Sequence, residues 1–234
     1  MKKIILVIVL ILSINSYCQS AKAYFDIGME KVESDNYHEA IYNFDRAIEI
    51  YPDMGSSLLM RAFSKRQIKD YQGAVDDYTR AIDLNPSDAF IYCNRGGSKL
   101  ELKDFQGAML DVNKAIKLDP KNAEAYFERG KVKSKLGDIR GSITDYTKAI
   151  ILNPKHRDAY TKRGSAKLDL KDFNGAVSDY SQALSIDPNY AFGYIYRGIA
   201  KAVLKQKQSA CLDFSKAGEL GLVKAYDFIR DNCN

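Results

Sequence analysis

The chain has 234 residues, of which 46% are hydrophobic, with 35 basic and 30 acidic side chains. This composition is ordinary for a soluble protein with a sizeable core. A net charge of +5, spread along the whole chain, excludes the basic footprint of a nucleic-acid-binding protein.

The first element in chain order is a basic and then apolar segment at the N-terminus. Lys2 and Lys3 precede an unbroken apolar run over residues 4–12, and Cys18 follows a few residues later. This order predicts a secretory signal peptide over residues 1–18, too short for a membrane span. We therefore expect an exported protein, periplasmic or secreted. In the alternative, Cys18 carries a lipid anchor as in bacterial lipoproteins, although bulky Tyr17 stands where those proteins carry a small residue.

The rest of the chain is an internal repeat. All five prolines lie 34 residues apart, at Pro52, Pro86, Pro120, Pro154 and Pro188. A fixed period of this length is typical of stacked repeat architectures. With each proline at position 32 of its repeat, the repeats cover residues 21–54, 55–88, 89–122, 123–156, 157–190 and 191–222. A capping helix is expected at about 223–233, so that residues 19–234 form one repeat domain.

The residue pattern within each repeat predicts two helices. The second helix of the second repeat has an apolar stripe at helical spacing, formed by Tyr71, Ala74, Val75, Tyr78, Ala81 and Ile82. Short polar residues that can cap such helices precede them at Asn36, Asp70, Asp104, Asp138 and Asp172. The prolines stand where each second helix must end. After the sixth repeat, which has no proline, Gly218 and Gly221 are expected to break the helix.

Four positions carry a recognisable pattern. Position 27 is alanine in all six repeats, positions 8 and 20 are small, and position 24 is mostly aromatic. This pattern resembles the tetratricopeptide-repeat (TPR) family. The resemblance implies an all-α fold, a right-handed α-solenoid of six helix-turn-helix repeats with a C-terminal capping helix.

Three charged positions depart from the usual pattern of that family. Repeats two to six have arginine at position 7 and aspartate at position 23, whereas the first repeat has Ile27 and Asn43 there. Position 11 is lysine in every repeat. We expect each arginine to pair with an aspartate, with the lysine beside them. The alternative is a basic row that binds an anionic ligand or a glycan.

The resemblance also implies a function. First helices of such repeats line a concave groove, and the predicted function is a non-catalytic scaffold or adaptor that binds a peptide or protein segment there. A lipid-anchored structural subunit of a cell-envelope complex is the alternative. The C-terminal apolar group of Phe192, Ile195, Tyr196 and Ile199 is expected to pack internally. The candidate ligand-binding residues are Phe25, Met29, Leu59, Met60, Phe63, Asn94, Phe127 and Lys131.

The sequence offers little for catalysis. It has two histidines, His38 and His156, both expected to face solvent, and no metal-ligand spacing, phosphate loop or nucleophile elbow. We therefore predict no enzyme activity, no catalytic residues, no metal and no cofactor.

Three cysteines follow the predicted signal peptide: Cys93, Cys211 and Cys233. Cys211 lies in the last repeat and Cys233 near the end of the cap. Since export leads to oxidising conditions, a bridge between these two would fasten the cap to the last repeat.

Overall fold

The computed structural model describes residues 19–233, and every regular element in this range is an α-helix. The predicted signal peptide, residues 1–18, lies outside the described residues. Helix α1 covers 19–33. The others are α2 (Tyr37–Ile50), α3 (Gly55–Gln67), α4 (Tyr71–Leu84), α5 (Ala89–Glu101), α6 (Phe105–Leu118), α7 (Ala123–Lys135), α8 (Ile139–Leu152), α9 (Arg157–Asp169), α10 (Phe173–Ile186), α11 (Ala191–Val203), α12 (Lys207–Glu219) and α13 (Ala225–Cys233).

The helices follow the 34-residue period. Odd-numbered helices α1 to α11 are the first helices of the six repeats, even-numbered helices are the second helices, and α13 is the cap. Consecutive helices pack against each other within each of two compact units, one ending at Pro120 and one beginning at Lys121. The all-α architecture of paired helices is confirmed.

Caps and turns explain where the helices begin. Each second helix from α2 to α10 starts after a polar residue whose side chain accepts a backbone N–H three residues on, as Asp104 does from Gly107 at 2.9 Å. The turn before each second helix contains a left-handed residue. Gly137 takes this conformation in the fourth repeat (φ +85°), and Asp35 and four lysines take it in the others.

The first unit, α1 to α6, has a core built from the conserved small and aromatic positions of the repeat. Tyr78 is fully buried among Ala62, Ala74 and Ala81, with Leu58 and Ile91 from the neighbouring first helices. Small residues allow the helix pairs to approach closely, since a Cβ atom at Gly28 would lie 2.5 Å from the ring of Phe44. The core of this unit is therefore continuous across repeats.

The second unit, α7 to α13, repeats this packing and ends in the cap. Ala225 of α13 is buried, and Phe228 stacks on Phe214 of α12 with ring centroids 5.3 Å apart. One expectation was wrong: Gly218 lies inside α12 rather than breaking it. The helix ends at Glu219, before Gly221, whose φ of +88° is left-handed.

Among the helices of residues 19–233, none has the length and apolarity needed to cross a bilayer.

Candidate binding surface

The recurring charges form a trio in each of repeats two to six. In the fifth repeat, Nε and Nη2 of Arg163 donate to the two carboxylate oxygens of Asp179 at 2.9 and 2.7 Å. Nζ of Lys167 lies 2.8 Å from the same carboxylate. The aspartates are buried and their partners mostly so. In the fourth repeat, the hydrogen bond to Asp145 raises the pKa of Arg129.

The trios of the second, third, fifth and sixth repeats also reach the preceding repeat. Nη1 of Arg163 donates to Oγ1 of Thr147 at 3.0 Å, and Nη1 of Arg197 donates to Oγ of Ser181 at 3.2 Å. In the first unit, Arg95 makes the same bond to Thr79. The arginines are thus engaged on all sides by protein groups, which fits a role in joining helices and repeats rather than in holding an anion.

Most of the candidate ligand-binding residues lie in the first unit and are apolar. Phe25 and Met29 lie one turn apart on α1, and Leu59, Met60 and Phe63 lie on α3; all five are partly exposed. Each aromatic ring among them rests on a neighbour. Phe25 lies 5.7 Å from Phe44 and Phe63 lies 6.3 Å from Tyr37, between ring centroids.

A polar group borders these residues. Asn94 on α5 is nearly buried, its Nδ2 donates to the carbonyl of Phe90, and its Oδ1 accepts from Nη1 of Arg66 at 3.0 Å. Asn94 therefore orients the guanidinium group of Arg66. The ring of Phe90, at the start of the same helix, is 49% exposed.

The two candidates in the second unit are differently placed. Phe127 is only 7% exposed and packs 5.9 Å from Tyr146 in the core. Nζ of Lys131 lies 2.9 Å from the buried carboxylate of Glu128 and over the ring of Phe127. Phe127 thus belongs mainly to the core, and Lys131 neutralises a buried acid. The i, i+3 spacing of Glu128 and Lys131 on α7 is the sequence signal for this pair.

His156 is not the solvent-facing residue expected from the sequence. Its side chain is 13% exposed, and its ring centroid lies 4.6 Å from that of Phe127. Its Nδ1 accepts the backbone N–H of Ala159 at 3.4 Å, so that His156 caps α9 where other repeats use Asp88 or Asn122. By contrast, His38 is exposed, as predicted.

The C-terminal apolar group divides into two parts. Ile195 is buried and Ile199 packs against the cluster around α12 and α13, as expected. Phe192 and Tyr196 are instead 51% and 37% exposed, so the expectation that they pack internally was wrong. No further helix covers this side of α11 within the described residues.

Of the three cysteines that follow the predicted signal peptide, two form a disulfide and the third is a thiol. Cys211 on α12 and Cys233 on α13 are joined as a disulfide, with Cα atoms 5.8 Å apart. This separation lies within the range of about 4.4–6.8 Å that disulfides require. Cys93 is a buried thiol on α5. The bond ties the cap to the last repeat.

Comparison with protein families gives a match over most of the chain. A family model described as "Tetratricopeptide repeat" matches residues 25–89 and 127–191, and one described as "TPR repeat" matches residues 98–137. A search of curated protein sequences finds no significant match.

Solved structures match in fold at low sequence identity. A chain in the structure of the Cut9–Hcn1 hetero-tetramer of APC/C aligns over 92% of this chain, with a TM-score of 0.83 and 18% identity. The alignment covers 43% of that matched chain. PilF of Pseudomonas aeruginosa aligns over 92% of this chain and 99% of its own, with a TM-score of 0.77 and 16% identity. YrrB, described as a TPR protein with an unusual peptide-binding site, aligns over 80% of this chain and 97% of its own, with a TM-score of 0.60 and 20% identity.

Proposed function

Because the chain belongs to the tetratricopeptide-repeat family, we propose that it is a non-catalytic scaffold or adaptor that binds a peptide or protein segment. The first helices of the first unit would provide the binding surface. The observation that carries this proposal is the group of partly exposed apolar side chains on these helices: Phe25, Met29, Leu59, Met60, Phe63 and Phe90.

The chemistry of this group suits a peptide. Methionine and aromatic side chains adapt to partners of different shape. A contiguous apolar patch on a folded protein commonly marks an interaction site. The peptide-binding site described for YrrB supports the same kind of partner for a protein of this fold.

A substitution series tests the proposal. Peptides selected from a random library against the purified protein are titrated against wild type, Phe63→Asp and Phe90→Asp. We expect each variant to bind at least about tenfold more weakly, since a buried unpaired carboxylate costs at least about 1.4 kcal/mol. Leu110→Asp is the matched control, because Leu110 is a strongly exposed residue on the second helix α6. Equal losses in all three variants, or none in the first two, would refute this surface.

Export is a second part of the proposal. The joined Cys211 and Cys233 support it, because disulfides persist in oxidising compartments. The mass of the mature N-terminus provides the test. A chain that begins at Gln19 indicates signal-peptide cleavage, and a lipid-modified Cys18 indicates the anchored alternative. An intact N-terminus at Met1 would contradict both.

A further inference from the structure

An open cavity lies in the first unit, at the turn between the second and third repeats. It is formed where α4 ends and α5 begins, and it has a volume of about 330 Å³. Its wall residues are Gly55, Ser56, Leu59, Ala81, Leu84, Asn85, Asp88 and Ile91. Ala81 and Ile91 are buried, whereas Leu84 is 45% exposed. The cavity therefore combines buried apolar groups with more exposed apolar and polar ones.

No side chain from position 1 of the second repeat fills this cavity, because that residue is Gly55. Position 1 of the other repeats is alanine or arginine, at Ala21, Ala89, Ala123, Arg157 and Ala191. A Cβ atom at Gly55 would meet Cδ1 of Leu84 at 3.6 Å, which is an ordinary van der Waals contact. The surrounding packing therefore does not require a glycine, and the site has room for a side chain.

The fifth repeat has an arginine at the equivalent place. Nη1 of Arg157 donates to the carboxylate of Asp187 at 2.8 Å, and its Nε and Nη2 donate to Asp158. Its guanidinium carbon lies 4.6 Å from the ring centroid of Tyr190. Asp187 and Tyr190 hold positions 31 and 34 of their repeat, and the residues at both positions of the second repeat line the cavity. The fifth repeat thus shows that a guanidinium group suits this junction.

The end of α4 attracts a cation. The last carbonyl groups of a helix have no partner within the helix and carry the negative end of its dipole. The last turn of α4 contains no basic residue. Oδ1 of Asp88 accepts the N–H of Phe90 at 2.8 Å, and within residues 19–233 no cation pairs with this carboxylate. The negative charge at the cavity is therefore unbalanced in the isolated chain.

A guanidinium group fits this combination better than an ammonium group does. It is planar, presents several N–H donors and is weakly hydrated, so it can bond to oxygen atoms while it lies against apolar side chains. Asn85 and Asp88 provide acceptors, as Asp187 does for Arg157. The aliphatic stem of an arginine would cover the exposed part of Leu84.

We propose that the cavity at Gly55 binds a guanidinium group, carried either by an arginine of a protein segment or by free arginine. This inference goes beyond the proposed function, because the cavity lies at a turn between repeats and shares only Leu59 with the surface proposed above.

The test titrates N-acetylarginine amide into the full chain with its disulfide intact, followed by ¹H–¹⁵N NMR. We expect shifts at the amides of Gly55, Asn85 and Asp88, with a Kd of about 1–10 mM for a ligand of this size. N-acetylcitrulline amide, which has the same shape without the charge, should bind about tenfold more weakly. Short peptides with one arginine and randomised flanks distinguish the sources. Tighter binding than that of the capped arginine indicates a protein segment, and equal or weaker binding indicates free arginine.

Three variants separate charge, space and folding. Asp88→Asn keeps a side chain that can cap α5 but removes the charge, so it should weaken binding about fivefold. Gly55→Arg should abolish binding, because its own side chain would fill the cavity in the manner of Arg157. Gly55→Ala is the matched control at the same position and should bind like wild type, since its Cβ makes only an ordinary contact. Circular dichroism should show the same helix content in all three.

The inference is overturned if no amide at the cavity shifts, if citrulline binds as well as arginine, or if folded Gly55→Arg binds like wild type. Phe63→Asp, which tests the first-unit surface, should leave arginine binding unchanged. Failure of that surface is thereby distinguished from failure of the cavity.

Discussion

At the scale of single residues, the closeness of the paired helices depends on position 8 of each first helix. In the fourth and fifth repeats this position is glycine and faces a buried tyrosine. A Cβ atom at Gly130 would lie 2.6 Å from the ring of Tyr146, whereas at Gly164 the nearest ring atom of Tyr180 would be 3.1 Å away. The second repeat has a buried Ala62 in this place, so the repeat can accept a methyl group at this position.

We predict that Gly130→Ala destabilises the protein by about 1–2 kcal/mol, because the ring of Tyr146 has to move in a packed core. Gly164→Ala is the matched control. There the gain of about 1 kcal/mol in helix propensity should offset the smaller clash. Urea unfolding followed by circular dichroism measures both. A Gly164→Ala variant that loses as much stability as Gly130→Ala would contradict this explanation.

At the scale of helices, the charge trios connect the two members of each pair. Arg163 and Lys167 on α9 share the carboxylate of Asp179 on α10, which is buried. Removing one partner of a buried ion pair leaves an uncompensated charge, while replacing the whole pair with neutral residues costs far less. The first repeat shows the neutral form, with Ile27 and Asn43 at these positions.

Asp179→Asn alone should therefore cost about 3–5 kcal/mol, because two cations lose their counter-ion. The double variant Arg163→Ile with Asp179→Asn has the residue types of the first repeat at positions 7 and 23 and leaves only Lys167 without its counter-ion, so it should recover more than half of that loss. Chemical denaturation of both variants and of Arg163→Ile gives the coupling energy. If the two single losses simply add in the double variant, the trio does not act as a unit.

The cap depends on its covalent bond. Helix α13 has nine residues, and isolated helices shorter than about 12–15 residues are marginal in water. It is held by the stacking of Phe228 on Phe214, by buried Ala225 and by the disulfide. Because the helix is so short, the bond is expected to dominate.

Reduction, or the variant Cys233→Ser, should lower stability by about 3 kcal/mol and should increase hydrogen exchange mainly in α13. Cys93→Ser is the control, since Cys93 lies outside the bond. Hydrogen exchange with mass spectrometry locates the effect. Unchanged protection of α13 after reduction would show that packing alone holds the cap.

At the scale of the whole molecule, three buried tyrosines are expected to set the alkaline limit of stability. Burial raises the pKa of Tyr78, Tyr146 and Tyr180 far above the ordinary value of 10.0. A raised pKa in the folded state gives stability that is fully present below the unfolded value and is lost as the pH rises toward the folded value.

We therefore predict that the unfolding free energy is constant with respect to these groups up to about pH 9 and falls above about pH 10. Absorbance at 295 nm should show part of the tyrosines ionising only as the circular dichroism signal is lost. Tyr146→Phe together with Tyr180→Phe should move this alkaline transition to higher pH. An unchanged transition midpoint in that variant would show that other groups set the limit.

The fold was largely predictable because its signals are local and repeated. The prolines mark the repeat boundaries, and the cap residues before the second helices predict where those helices begin, as Asp104 does. The binding surface was less predictable. Apolar residues on one side of a helix, such as Phe192 and Tyr196 on α11, have the same sequence spacing whether or not another helix covers them. Their exposure therefore could not be predicted from the sequence. His156 and Lys131 did have local signals. His156 stands at the repeat position where Asp88 and Asn122 cap first helices, and Lys131 follows Glu128 at i, i+3 on one helix.

In the second unit, the bond from an arginine to the preceding repeat also bears on how such a chain changes in length. Thr147 and Ser181 both offer a hydroxyl group to the arginine that follows 16 residues later. If residues 157–190 were lost, Thr147 would take the place of Ser181 before Arg197, and each bond of the motif would still have a partner. The repeats of this unit are thus interchangeable at this bond, and a chain with one repeat fewer here keeps its internal connections.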